Sequence, residues 1–590
     1  MQDTSTIKTN IKNLLNKYNI DAFIFSTTDE YINEYTPDHL KRLSFITNFT
    51  GSLALCILGK ENNVIFVDGR YTLQAKMEVN TELFEIKPYT LAEITLWITK
   101  NLTTDAKIAI NTRCTSNKEA KVYYNLCTKT NMNLTYINHH LVDELWHNQP
   151  AVVYHKIYIQ KEEHQDQSTI HKTQIVSHQL KEKKIDYCII TSLDSIAWIL
   201  NARGADINFN PMFFAILVVD SNKQLHLFLN KQQVDCQTTD VMLYLKSVAT
   251  IHNDEDFSQF MIALNNNKQI FATTESSPIY YHQFLKANNM NALLIEDPTI
   301  LLKSIKTPKA ILNMQNCHIR DGLYLTKLIY LLSNNLHNNY TELTINEELS
   351  KIKSQDPLFI GASFDSIVGI NGNGAIIHYR ASEKTNKNLT KEDVVLIDCG
   401  SQYTDGTTDI TRVLSFASVS EEFKNHYTLV LKGHINLASA IFPQGTLGGN
   451  LDALARQSLW RNGLNYNHGT GHGVGYALSV HEGPISISSL NNQELLEGMV
   501  LSNEPGFYLD NNYGIRLENL YVVTKSIYPN FLQLESLSLA PFDVKNINFA
   551  LLNKEEKIWI EKYHQKVYNI LANYLTLEEK SWLKSYMNLT

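Results

Sequence analysis

The stretch His468-Gly469-Thr470-Gly471-His472-Gly473-Val474-Gly475, closed by Val480-His481-Glu482-Gly483-Pro484, decides how the rest of the chain is read. It sets three imidazoles among glycines. Glycine has no Cβ, so backbone and ligand can approach closely, and imidazole is both a metal ligand and a proton carrier. Such a run can place a metal-binding histidine between two that handle substrate. It is not a dinucleotide fingerprint: G-x-G-x-x-G read from Gly469 requires glycine at Val474, and read from Gly471 requires it at Tyr476. Nor is it an H-E-x-x-H zinc helix, because Gly483-Pro484 follows His481-Glu482 and breaks a helix.

Acidic residues flank this run on both sides. Upstream, Val394 to Arg412 reads as a buried strand ending at Asp398, a glycine-bearing turn, and a return strand carrying Asp409. A hairpin can bring two such positions close across its ladder. An EF-hand is excluded, because Gly400 and Gln402 stand at its third and fifth loop positions and Asp409 at its twelfth. Asp405, before Gly406, reads as a turn residue. Downstream, Val500 to Glu504 is an apolar strand ending in a carboxylate, turned by Pro505-Gly506. Gly514 to Asn519 reads as a strand with Ile515 and Leu517 on one face, Arg516 and Glu518 on the other. Each of these residues has an ordinary structural reading alone. Together, two Asp, two Glu and one His would repel unless cations compensate them. An O/N ligand set without thiolate suits a pair of divalent ions such as Mn, Co or Zn, which together promote hydrolysis.

Composition narrows the class. The 590 residues imply about three to five domains, and 44% apolar with 19% charged residues describes a globular chain with ample core. The net charge of −8 argues against nucleic acid or an anionic membrane as main partner. The apolar run Met212 to Val219 is too short for a membrane span, and no signal peptide is expected at the N-terminus. Seven scattered cysteines without C-x-x-C spacing read as reduced thiols of a cytoplasmic protein.

In chain order, residues 1–150 read as a first α/β domain: a helix near Ile7 to Tyr18, strands at Ala22 to Phe25, Leu53 to Leu58 and Val64 to Val67, and a helix at Ala92 to Thr99. Arg70 stands at the tip of the turn Asp68 to Tyr71, as a substrate contact or a solvated arginine. Residues 151–305 read as a duplication of this plan, with Ile185-Asp186 before an apolar strand where the first copy has Ile20-Asp21. A helix Ser195 to Leu200, a loop Arg203 to Asp206 and a strand Phe213 to Val219 continue it, with Arg203 and Asp206 structural. Residues 306–545 hold the candidate chemistry. They open on a helix from Thr307-Pro308 with Ile311, Met314, His318, Leu325, Leu328 and Leu332 along one face. Further helices are expected at Tyr340 to Lys353, Ser420 to Ile441 and Leu451 to Trp460. Residues 546–590 form a helical, amphipathic tail docked on that domain.

These motifs resemble the dinuclear metallopeptidases of pita-bread fold, and within them the long, three-domain aminopeptidase P (X-prolyl aminopeptidase) family. The resemblance rests on the Asp398 to Asp409 interval, the two histidine motifs, Asn503-Glu504-Pro505-Gly506-Phe507-Tyr508 and Gly514 to Asn519. It extends to Asn48 to Ser52, Asp68 to Tyr71, Asp194 to Trp198 and Asn201 to Gly204, and so covers essentially the whole chain. It implies a mixed α/β (α+β) protein with two related creatinase-like N-terminal domains and a C-terminal pita-bread catalytic domain. It implies Asp398, Asp409, His472, Glu504 and Glu518 as ligands of two divalent ions, Mn2+ first, then Zn2+ or Co2+. Glu504 would also be general base for a metal-bridging hydroxide. The resemblance implies His378 and His481 as substrate histidines, His481 stabilising the oxyanion. His468, Tyr508 and Arg516 would shape the pocket for the second, prolyl residue, and Trp460 would be a dimer contact or core. The activity implied is removal of the N-terminal residue from peptides with proline second, by a homodimer. Prolidase is the nearest alternative, and a non-catalytic peptide-binding module on the same fold a more distant one. Arg380-Ala381-Ser382 departs from relatives that carry a proline after His378-Tyr379.

Overall fold

A computed structural model describes residues 4–589. Contacts group the chain into two units. One runs from the N-terminus to Gln160 and includes Gln167–Thr299; the other joins Lys161–Asp166 to Ile300 through the C-terminus.

The first unit contains two six-stranded sheets of one plan. The first has β1 (Ala22–Ser26), β2 (Ala54–Gly59), β3 (Asn63–Val67), β4 (Phe84–Pro88), β5 (Lys107–Asn111) and β6 (Asn133–Ile137), in the order β4-β3-β2-β1-β5-β6. The apolar runs in β1, β2 and β3 are buried throughout, as strands covered on both faces require. The second sheet is built from Tyr187–Ile190, Ile216–Asp220, Leu225–Leu229, Thr250–Asn253, Ile270–Thr274 and Asn291–Ile295. It repeats the first in spatial order and in the sense of every pairing, antiparallel and parallel alike. The aspartates seen in the sequence do the same work in both. Asp21 accepts the N–H of Lys107 at 2.9 Å and Asp186 that of Ile270 at 2.8 Å, each fixing the strand parallel to its own.

In this unit the expected strand from Phe213 begins only at Ile216, and Ala202–Arg203 is a short strand against Tyr158–Ile159 rather than loop. Arg203 is buried and donates to the carbonyls of Ala197 and Ala202, a structural role.

The second unit opens on the helix Pro308–Asn334. The Thr307 side chain accepts the N–H of Ala310, and proline at the first helical position has no N–H to lose. Met314, His318, Leu325, Leu328 and Leu332 are buried along it, while Ile311 is half-buried. Strands Ile367–Ile370, Val394–Cys399 and Ile410–Ser415 form one antiparallel sheet. Ile441–Pro443, Phe531–Ser536, Asn519–Lys525 and Val500–Asn503 form another. Helices Glu421–Ala438 and Gly448–Trp460 pack against each other there. Ser420 caps the first through the N–H of Phe423, as expected.

Three expectations need correction, and the helical tail gains detail. Asp409 precedes its strand rather than lying on it, because the short pair Ser401–Tyr403 and Gly406–Thr407 is inserted into the turn and Asp398 faces Thr411. The strand from Gly514 stops at Arg516 and resumes at Asn519. The helix from Ser420 ends at Ala438, since Ile441–Pro443 pairs with Phe531–Ser536. The tail is two helices, Lys554–Leu571 and Leu577–Tyr586, divided by a 3-10 turn.

Candidate active site

Two close approaches of backbone bring the acidic and histidine motifs together. A Cβ at Gly471 would lie 1.9 Å from the Ser502 carbonyl oxygen, and one at Gly473 2.2 Å from that of Glu482. Only glycine allows Gly471–His472 to lie against Val500–Asn503 in this way. Ser502 joins the two: its hydroxyl accepts the N–H of His472 at 2.9 Å and donates to Glu504 Oε1 at 3.0 Å.

His472 Nδ1–H donates to the Gly473 carbonyl at 2.9 Å, which turns Nε2 toward the carboxylates. Nε2 lies 3.5 Å from Asp409 Oδ2 and 3.4 Å from Glu504 Oε1. Asp409, His472 and Glu518 each present a ligand atom within 4.8 Å of the other two. Asp398, buried, is gripped through Oδ2 by Arg516, Nη2 at 2.5 Å and Nε at 3.1 Å. Glu518 accepts from Thr411 Oγ1 at 2.7 Å.

The charges are unbalanced within the protein. Burial pushes Asp409 up to about 6, against the pull of His472 and with repulsion from Asp398 and Glu504. Burial raises Glu518 well above the carboxylate range, and Asp409, Glu504 and Asp398 add to it. Burial alone would depress His472, yet Asp409 and Glu504 hold it at about 9. Asp398 Oδ1 and Glu518 Oε1 are buried and take no hydrogen bond. Buried carboxylate oxygens without donors, beside an imidazole whose Nε2 faces them, fit divalent cations.

A polar chain leads away from this cluster. Arg516 Nη1 donates to Tyr508 Oη at 2.8 Å, and Tyr508 Oη donates to His468 Nε2 at 2.9 Å, since His468 Nδ1–H is taken by the Gly469 carbonyl at 2.7 Å. His481 packs edge-on to His472, ring centroids 4.4 Å apart. His378 lies half-buried in the loop after Asn371–Ala375, where the hydroxyl of Tyr379 donates to Glu342 at 2.7 Å. Arg70 lies in the first unit, its Nε on Asp68 at 2.7 Å. Trp460 is 52% exposed, which removes the core reading.

The sequence motifs do not single out the residues that hold the candidate ligands. Thr411, Ser502 and the buried Arg412, which donates to the Glu518 carbonyl at 2.6 Å, are such residues. Ser502 has a signal in the sequence: it stands two before Glu504, the spacing that puts two side chains on one side of an extended chain.

Fold and cluster together define a metal-dependent hydrolase. The metallopeptidase family M24 model matches residues 313–525, with the C-terminal region of that peptidase family at 530–588. Creatinase/prolidase N-terminal domain models match 8–141 and 148–309. A probable Xaa-Pro aminopeptidase P of Laccaria bicolor is 32% identical over 97% of this chain and 92% of its own. Aminopeptidase P1 of Arabidopsis thaliana is 32% identical over 98% of each. The X-prolyl aminopeptidase of Caenorhabditis elegans, described as a cytosolic enzyme with a di-nuclear active site, superposes with TM-score 0.95 at 28% identity over 100% of both chains. The prolidase of Pyrococcus horikoshii covers only 63% of this chain, at 22% identity and TM-score 0.51. The chain belongs to the Xaa-Pro aminopeptidase P family of M24 metallopeptidases.

Proposed function

We propose that this protein hydrolyses the bond between an N-terminal residue and a following proline, as a two-metal aminopeptidase. The observation that carries the reading is the cluster of Asp409, His472 and Glu518, with Asp398 and Glu504 beside it, in a chain that matches aminopeptidase P relatives end to end. Asp398, Asp409, His472, Glu504 and Glu518 are the residues that would hold the ions. Two divalent ions there supply Lewis acidity and lower the pKa of water from 15.7 to about 7. With oxygen and nitrogen ligands only, Mn2+ is the ion proposed, Zn2+ and Co2+ the alternatives.

The protein's own groups do the rest. Glu504, oriented by Ser502, takes the proton of the attacking water and passes it to the prolyl nitrogen. That nitrogen belongs to a tertiary amide without N–H, so the site needs no acceptor for it. His481 donates to the scissile carbonyl oxygen as charge develops, and His378 contacts the substrate. His468, Tyr508 and Arg516 form a pre-set wall for the proline ring. Arg70 is proposed as a further substrate contact. The same reading gives domains at 1–150, 151–305, 306–545 and 546–590. It also gives a cytoplasmic homodimer, supported by seven free cysteines and by the exposed Trp460. No helix among the described residues is long and apolar enough to cross a membrane.

The test compares an X-Pro-Pro tripeptide with an X-Pro dipeptide, using metal-stripped protein with and without Mn2+. Mn2+-dependent release of X from the tripeptide, with little from the dipeptide, is expected. Preference for the dipeptide would favour prolidase, and inactivity of folded, metal-loaded protein would overturn the enzymatic reading.

A further inference from the structure

We propose that Glu482 is a positioning residue that fixes His481 through a buried tie to Lys306 and Lys303; the inference rests on the role given to His481 above. His481 lies in backbone that is neither helix nor strand, between Val474 and Ile485. A ring that must meet a carbonyl oxygen needs its placement from somewhere else.

The next residue supplies it. Glu482 Oε1 contacts Lys306 Nζ, and Oε2 lies 3.6 Å from Lys303 Nζ. All three side chains are no more than 2% exposed. The half-buried Asp166 also attracts Lys306 from nearby. The backbone of Glu482 is fixed as well: its N–H donates to the Gly473 carbonyl at 2.8 Å, one residue beyond His472. Its own carbonyl fills the space a Gly473 Cβ would need.

Lys306 is anchored at the other end. Its N–H donates to the Gly498 carbonyl at 2.9 Å, and Ile305 bridges Met499, at the root of the strand that leads to Glu504. The Lys306–Glu482 tie therefore spans from the base of the Glu504 strand to the His481 loop. A buried ion pair is a poor source of net stability, because desolvation offsets attraction, whereas fixing register is its better-attested use. An apolar contact would let the loop slide; a carboxylate between two ammonium groups does not.

The experiment uses the full-length, Mn2+-loaded protein and an X-Pro-Pro substrate. Glu482→Gln is expected to lower kcat tenfold or more, with KM within about twofold, as for a misplaced group. In a His481→Ala background the same substitution is expected to change kcat less than about twofold, since the two act as one unit. The double variant Glu482→Gln/Lys306→Met removes both ends of the closest ion pair, so neither is left as an unpaired buried charge, and guards against misfolding. It is expected to melt near wild type, stay slow, and show in a crystal structure a His481 ring turned away from His472. Multiplying losses from Glu482→Gln and His481→Ala would overturn the proposal, as would wild-type kcat in the folded double variant. An unchanged kcat in His481→Ala would instead overturn the role of His481 itself.

Discussion

Replacing Gly471 by alanine tests whether the metal-ligand geometry depends on the contact between two strands. The new Cβ would lie 1.9 Å from the Ser502 carbonyl oxygen and 2.8 Å from its carbon, both rigid backbone. Ordinary contact begins at 3.4 Å, so the strands must part by about 1.5 Å. Ser502 is the residue that holds the N–H of His472 and the carboxylate of Glu504. Parting the strands therefore pulls these two candidate ligands from one another. Metal–ligand distances tolerate only about 0.2 Å, and a misplacement of about 1 Å can cost 100-fold in rate. The expected result is a folded protein destabilised by about 1–3 kcal/mol. Its Mn2+ affinity should fall at least tenfold by calorimetric titration, and kcat/KM about 100-fold on an X-Pro-Pro peptide. Gly469→Ala is the control, because nothing lies nearer than 3.8 Å to its Cβ. Wild-type Mn2+ affinity and rate in Gly471→Ala would refute the reasoning.

Metal removal should make stability fall with rising pH. Folded Asp409 keeps its proton up to about 6 and Glu518 well beyond the usual range, while unfolded carboxylates release theirs near 4. The folded state then binds more protons, and stability drops as pH rises through that window. His472, at about 9 when folded against 6.5 unfolded, adds stability that is full below 6.5 and lost as pH rises through 9. The gap in melting temperature between Mn2+-loaded and stripped protein should therefore widen from pH 5 to pH 9, and a constant gap would refute this. Tyr508→Phe removes the hydroxyl shared by Arg516 and His468 and leaves both without that partner. At about 1–3 kcal/mol, kcat/KM for X-Pro-Pro should fall roughly 10- to 100-fold with Mn2+ affinity unchanged; wild-type kcat/KM would count against the proposed wall.

The sheet plan was legible because both repeats announce themselves alike. An apolar run follows Ile20-Asp21 and Ile185-Asp186, and burial on both faces demands such runs. Helix Pro308–Asn334 was equally plain from Thr307-Pro308 and its apolar face. The boundaries that moved did so through partners distant in sequence. Ile441 looks like a helix residue until Gln533 is found opposite it, and Ser401–Tyr403 pairs back onto Phe359–Ala362. Alternation along one segment carries no record of either.

The candidate ligands were legible for a different reason than the groups that hold them. Asp398, Glu504 and Glu518 each have an ordinary use alone, and stand out as a set of carboxylates at strand ends around one histidine motif. Thr411, Ser502 and Lys306 have many uses, and acquire theirs only through register. The break at Leu517-Glu518 shows how. Consecutive amides of an extended chain point to opposite sides. Leu517 N–H reaches the Pro505 carbonyl and Glu518 N–H the Thr411 carbonyl, each at 3.2 Å. These two bonds tie the residue after Glu504 and the strand after Asp409 to the segment that carries Glu518. Partners on both sides of this one segment, each distant in sequence, thus draw three carboxylates from three separate motifs together.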